Sequence, residues 1–167
     1  MKKKFLAAVM ALVMIGTTPV GVFADTMVKS YLTGLDVPES EGRVRPVAVM
    51  LNNIKQGCPQ SGIANAGVVY EAPVEGDITR LMGIFEDYKD LERIGSVRSC
   101  RDYYIFYANE FDAIYAHYGQ SAFALPYFEQ HLIDNLNGVK LGKSVFRSTD
   151  RKARTMLIQH MNCFSRV

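Results

Sequence analysis

Residues Pro46 to Leu51 (PVAVML) form a nearly unbroken apolar run. A strand without polar alternation must be covered on both faces, so this run predicts the central strand of a sheet. Shorter apolar or aromatic stretches follow at Gly67 to Ala72, Thr79 to Glu86, Arg93 to Val97 and Asp112 to His117, each read as a strand. Between and after them, Ser61 to Ala66 reads as a short helix and Ser99 to Phe111 as a longer one with Ser99 at its N-cap. Pro126 to Leu136 reads as a further helix, since Pro126 suits a first turn and Phe128, Leu132, Ile133 and Leu136 share one face. Strands alternating with helices predict an α/β fold: a single mixed or parallel sheet of about five strands flanked by helices. The polar, irregular stretch from residue 25 to 45 is expected as a flexible leader arm, and the domain proper spans 46–153.

The N-terminus constrains location. Lys2, Lys3 and Lys4 precede an uncharged apolar run from Phe5 to Gly16, and a more polar stretch ends in Val22-Phe23-Ala24, with small residues at the positions signal peptidase prefers. A membrane-spanning helix needs about 20 apolar residues, and this run is shorter. Residues 1–24 are therefore expected to be a cleaved signal peptide, and the chain to be secreted or extracytoplasmic. No Cys follows the apolar run, so no lipid anchor is expected, and no later segment is long and apolar enough to span a bilayer. The full chain carries 19 Lys+Arg against 17 Asp+Glu, but three of the lysines lie in the signal, leaving a net charge of −1 on residues 25–167. That balance points away from a general nucleic-acid binder. The cysteines are Cys58, Cys100 and Cys163. A Cys58–Cys100 disulfide and buried free thiols are both open readings, and no Cys/His spacing matches a zinc site.

Chemistry concentrates between Tyr70 and Arg101. This stretch holds Glu71, Glu75, Asp77, Thr79 and Arg80, then Arg98, Ser99, Arg101 and Asp102. Arg98 and Arg101 lie at a strand-to-helix junction, where unpaired backbone N–H groups and the positive end of the helix dipole attract anions. Guanidinium forks from Arg80, Arg98 and Arg101, with Ser99 among them, make a natural site for phosphate or carboxylate. The competing reading pairs those arginines with Glu71, Glu75 and Asp102 as internal braces. His117 ends a strand and can be a base, a ligand or a hydrogen-bonded structural residue. Tyr70, Glu71, Glu75, Thr79 and His117 are candidate pocket residues. No P-loop or nucleophile elbow is present.

Several short motifs together resemble the YerB-like family of exported bacterial proteins: Pro46-Val47-Ala48-Val49-Met50 with Asn53, Pro59-Gln60-Ser61-Gly62, Val69-Tyr70-Glu71, Glu75-Gly76, Thr79-Arg80, and Ile94-Gly95 followed by Val97-Arg98-Ser99 and Arg101. Many members are lipoproteins, and the family has no established reaction. The resemblance spans about residues 31–153. It departs at Asp77, where the family often has Gly, and at Ser96, where it often has Pro. After Ala153 the family tends to continue with Pro-His-Asn and a Tyr-containing run, then a second domain. A one-base shift lets the codons of Arg154 to Met161 be read as Pro-His-Asn-Ala-Tyr-Thr-Thr-Tyr, so residues 154–167 are expected to be a frameshifted tail and the C-terminal domain of the family to be missing.

A second similarity covers about 25 residues. The Thr79 strand, a turn, and a short strand ending in Ser96-Val97-Arg98-Ser99 look like the LytR-CpsA-Psr ligases of Gram-positive cell walls. These use arginines, acids and a divalent cation on a polyprenyl pyrophosphate. The leading expectation is a binding module that recognises an anionic ligand or envelope partner and needs no cofactor. The alternatives are a phosphoryl-group transferase acting on a lipid-linked glycan, with Mg²⁺ held by Glu71 or Asp77, and a structural domain with no ligand.

Overall fold

The computed structural model describes residues 26–142, 145–147 and 156–159. Residues 1–24, read above as a signal peptide, lie outside the described residues. So does the tail 154–167, apart from the backbone of one strand within it.

The central strand is where the apolar run places it. Strand β3 (Val47–Asn52) is buried along its whole length. It pairs in antiparallel register with β5 (Ile78–Phe85), from Val47 opposite Phe85 to Asn52 opposite Arg80. β5 pairs in turn with β4 (Val68–Val74), which forms the sheet edge. The turn between β4 and β5 passes through Gly76 (φ 80°) and Asp77 (φ 54°). Asp77 thus occupies the left-handed region that glycine adopts most easily.

On its other edge β3 is shared between two strands. β7 (Ile114–His117) lies parallel to Val47–Val49, while β6 (Arg93–Val97) meets β3 antiparallel only at Leu51. β8 (Asn135–Asn137) pairs parallel to β7. β10 (Met156–Gln159) runs antiparallel to β6 and carries β9 (Phe146–Arg147) on its outer side. The sheet is mixed, as expected, but has eight strands among the described residues rather than about five. Three short strands, β8, β9 and β10, make up the difference.

Two apolar layers sandwich this sheet. Helix α2 (Asp102–Asn109) covers one face, bringing Tyr104, Ile105 and Ala108 against Ala48, Met50, Met82, Ile84 and Tyr115. The opposite face is covered by β6 and the loops around it, with Ile94, Val97 and Tyr88 against Val49, Leu51 and Phe85. On that face Gly83 lies under the Phe85 ring, where an added Cβ would come within 2.8 Å of it.

Three sequence readings need correction. Residues 26–45 are not an irregular arm. Strands β1 (Met27–Lys29) and β2 (Asp36–Pro38) pair antiparallel and lead into a short helix, α1 (Glu39–Gly42). The ribbon docks through Glu86, whose buried carboxylate accepts from the Ser30 hydroxyl and, at 2.9 Å, from the Tyr31 N–H.

The second correction concerns Ser99, which does not cap α2. The backbone from Arg98 to Cys100 is already engaged: Arg98 N–H donates to Met50, Tyr118 N–H to Arg98 and Cys100 N–H to Gly119. The helix cannot start until that pairing ends, so Arg101 takes the cap position.

The third is the helix expected over Pro126 to Leu136. α3 covers only Leu125–Glu129, because His131 turns into the left-handed region (φ 52°) and the chain then extends into β8. α4 (Gly138–Leu141) follows β8 directly, with the Asn137 side chain accepting from Val139 N–H at 3.0 Å. No helix among the described residues is long and apolar enough to cross a membrane.

Candidate functional site

Cross-strand register decides which candidate residues meet. Asn52, Arg80 and Ala72 are opposed across β3, β5 and β4, and so share a face with Met50, Met82 and helix α2. Thr79 and Glu71 fall on alternate positions and face the other way. There the Glu71 carboxylate accepts from Asn53 Nδ2 at 3.0 Å and from the Thr79 hydroxyl, which also accepts from Asn53 Nδ2 at 2.7 Å. The Tyr70-to-Arg101 cluster is therefore split by the sheet. Its arginines gather on the α2 face, and Glu71 and Thr79 form a separate polar knot on the other.

Arg80 is the centre of the arginine group. Its side chain is only 9% exposed, and Nη1 donates to the Ser99 carbonyl. Burial pushes its pKa down, and the neighbouring Arg101 and Arg98 charges push in the same direction. Among the described residues no carboxylate pairs with it. Arg98 is half-buried, and its Nε is fully buried with no hydrogen-bond partner.

Arg101 differs. Its Nε donates to both Glu75 carboxylate oxygens at 2.8 and 2.9 Å, and Nη1 donates to the Cys100 carbonyl at 2.9 Å. The Glu75 pKa is lowered chiefly by these hydrogen bonds. Arg80, Arg98 and Arg101 thus lie within electrostatic reach of one another and of the Glu75 carboxylate, at the end of β3 and beside the start of α2.

The remaining candidates lie elsewhere. Tyr70 stacks on Tyr107 at 4.9 Å between ring centroids and donates to Glu110 at 3.0 Å, so it belongs with the aromatic residues over the C-terminal half of α2. The Ser99 hydroxyl donates to the Tyr118 carbonyl at 3.0 Å. His117 is fully buried, stacked on Phe128 at 4.8 Å, with Nδ1 at 2.7 Å from the Gly119 carbonyl and Nε2 at 3.3 Å from Asn135 Oδ1. Burial lowers its pKa, which favours a neutral ring with Nδ1–H donating to Gly119. Asp77 sits at the tip of the β4–β5 turn, several ladder positions from Glu71. No group of three metal-ligating side chains comes together among the described residues.

Cys58 and Cys100 are unpaired, one exposed and the other buried. Burial pushes the Cys100 thiol up to about 12. It faces the fully buried Tyr115 hydroxyl, which finds no hydrogen bond of ordinary geometry.

Sequence reasoning missed two supports of the arginine cluster. Asn52, buried at the end of the apolar run, is the direct cross-strand neighbour of Arg80. The Tyr104 hydroxyl accepts from Ala72 N–H at 2.9 Å and donates to the Arg80 carbonyl, fastening α2 to β4 and β5. A polar residue closing a continuous apolar strand was the available signal for Asn52. Tyr104 gave none, since one hydroxyl in a run of tyrosines is not distinguished by spacing.

The family model described as "Protein of unknown function (DUF3048) N-terminal domain" matches residues 32–166. The chain belongs to the DUF3048 family. A member from Bacillus subtilis (strain 168), described as "Putative lipoprotein YerB", is 40% identical over 122 residues, covering 73% of this chain and 37% of the relative. The crystal structure of the YerB protein from Bacillus subtilis matches with a TM-score of 0.76 at 35% identity, covering 83% of this chain and 48% of that one. The chain spans less than half the length of these DUF3048 relatives. The resemblance read from the sequence thus holds, and the mixed α/β fold is the one the relative adopts.

Proposed function

We propose that this DUF3048 domain is a binding module of the cell envelope, with the cluster of Arg80, Arg98 and Arg101 taking a phosphate or carboxylate group of its ligand. One observation carries the reading: Arg80 is withdrawn from water without an ion pair of its own, beside two more guanidinium groups and a single carboxylate, Glu75, that Arg101 already holds. Burying a cation is costly unless an anion or several acceptors compensate it. Arg80 donates to one carbonyl, and of the charges around it the two arginines outweigh the Glu75 carboxylate. An anionic group seated there would relieve that repulsion and give the Arg98 Nε–H an acceptor. The start of α2 adds a favourable dipole at the same place.

The Arg101–Glu75 pair favours the brace reading for that one arginine. Phosphoryl transfer draws no support from the carboxylates, because Glu71 is engaged on the opposite face and Asp77 stands at a turn tip. An envelope location is supported by the lipoprotein label of the Bacillus subtilis relative and by the N-terminal segment read as an export signal.

The test is titration of the protein with inorganic phosphate and with pyrophosphate, followed by arginine side-chain NMR. Saturable shifts of the Arg80 and Arg98 Nε–H resonances are expected, and Arg80→Gln should weaken binding at least about tenfold, the ordinary worth of a charge-assisted hydrogen bond. Unmoved guanidinium resonances with both anions would remove the proposal.

A further inference from the structure

A second concavity opens where the parallel strands β7 and β8 end. It has a volume of about 350 Å³, and its lining includes Gln120, Phe128, Glu129, Asn135, Asn137 and Lys140. The place is a usual one for ligands, since crevices beyond the carboxyl ends of parallel strands collect loops without disturbing the sheet. The volume lies in the range of small-molecule sites, which begin at about 300 Å³.

The floor of this cleft is polar, and its polar groups are fixed. The Asn137 side chain is buried, accepts from Val139 N–H at 3.0 Å and donates to Gln120 Oε1 at 2.9 Å. Asn135 lies beside His117 Nε2, and His117 is itself locked by Gly119 and by stacking on Phe128. Of the buried polar residues, Arg80, Asn52, His117 and Asn137 all lie toward the same end of the sheet, the end at which β3, β7 and β8 finish. Apolar pairs of the same shape can fill such positions at little or no cost in stability. Carboxamides held in fixed orientation at an open cleft serve recognition instead.

The chemistry of the lining selects a class of ligand. Each carboxamide both donates and accepts, as a sugar hydroxyl does. Lys140 and Glu129 cancel in sign, and with His131 counted as neutral the lining, unlike the arginine cluster, carries no net charge. Leu125, about two-fifths exposed, and Phe128 supply apolar wall for the C–H faces of a ring. We infer that this cleft binds a neutral saccharide unit, with Gln120, Asn135 and Lys140 contacting its hydroxyl groups and Phe128 and Leu125 its apolar face. The inference does not depend on the arginine cluster.

Side-chain amide NMR tests it directly. The full chain is titrated with glucose, N-acetylglucosamine and the disaccharide of each, up to about ten times a Kd of about 1 mM, a weak single-sugar affinity. At least one probe should give saturable shifts in the Gln120, Asn135 and Asn137 amide resonances, weakened several-fold in Gln120→Ala and in Lys140→Ala. Phosphate should leave these amide resonances in place, so the cleft and the arginine cluster are scored separately. Absence of shifts with all four sugars overturns the inference, as do shifts that fail to saturate or that survive both substitutions. Each variant is first checked for an unchanged backbone spectrum. If one is perturbed, the other and the wild-type titration still decide.

Discussion

Glu86, just past the end of β5, and Arg80, near its start, are both almost wholly withdrawn from water. Around Glu86 the chain has placed neutral donors. The Ser30 hydroxyl and the Tyr31 N–H satisfy the carboxylate, and in doing so they fasten the β1–β2 ribbon to the sheet. Around Arg80 it has placed one carbonyl, two further guanidinium groups and, at longer range, the Glu75 carboxylate that Arg101 binds. The two charges therefore have opposite relations to stability. Glu86 is a buried ion whose surroundings complete it, and removing it should loosen the structure. Arg80 is a buried ion left incomplete, and its retention is accounted for by what it can receive.

The largest expected effect comes from the completed charge. Glu86→Ala should lower stability by about 3 kcal/mol, since two hydrogen bonds to the carboxylate are lost and the Ser30 hydroxyl is left buried without a partner for its proton. Urea unfolding measures this, and limited proteolysis should find the Met27–Lys29 segment newly accessible. A loss under about 1 kcal/mol would put Glu86 among ordinary surface-type contacts and erase the contrast.

Arg80→Met should act in the opposite direction. An apolar side chain of similar length removes the desolvated charge and the repulsion from Arg98 and Arg101, so stability should rise by about 1 kcal/mol while phosphate binding is abolished. Urea unfolding and phosphate titration of the same variant give both readings. A destabilised Arg80→Met protein would mean that the guanidinium is a brace after all.

Glu75→Gln sharpens the comparison within the arginine cluster. The Glu75 side chain is mostly exposed, so stability should change by no more than about 0.5 kcal/mol. Arg101 would lose its carboxylate, and phosphate affinity should rise several-fold by titration. Unchanged affinity would separate Arg101 from the site.

The smallest effect concerns a third buried group, one that avoids charge. His117 has its pKa lowered by burial from an ordinary value of about 6.5. As pH falls through that value the unfolded chain takes up the proton before the folded one. The stability His117 contributes is therefore complete above about pH 6.5 and declines from there down to the folded-state pKa. Urea midpoints measured from about pH 7.5 to about pH 5 should slope downward toward acid, and His117→Gln should flatten that slope. An unaltered slope would assign it to other groups.

The legible part of this protein was the part governed by burial. An uninterrupted apolar run announces β3, and the strands around it are legible as shorter apolar or aromatic stretches because most of their side chains are buried. The arm was misread because its order comes from a distant carboxylate: nothing near Ser30 or Tyr31 states that Glu86 will be their partner. Helix α3 was drawn too long because Leu132, Ile133 and Leu136 keep helical spacing, yet the turn at His131 sends them to a loop and a strand. At the site, sequence proximity grouped Glu71 and Thr79 with Arg80. Strand alternation, readable in principle from Thr79-Arg80 as neighbours on one strand, places them on opposite faces. The sequence singles out His117 for a pocket but not the other residues of the cleft beside it, because Gln120, Asn135 and Lys140 meet only through the parallel pairing of β7 and β8.

The division of one edge of β3 between β6 and β7 has a consequence for how this scaffold can change. Where the two neighbours diverge, backbone pairing from Arg98 and Tyr118 carries the end of the sheet, and the Ser99 and Arg80 side chains add ties to it. The residues that line the opening are thus released from the task of building the core. A fork of this kind is a mechanical tolerance: substitutions at its mouth can retune what is held there while the layers behind it stay packed.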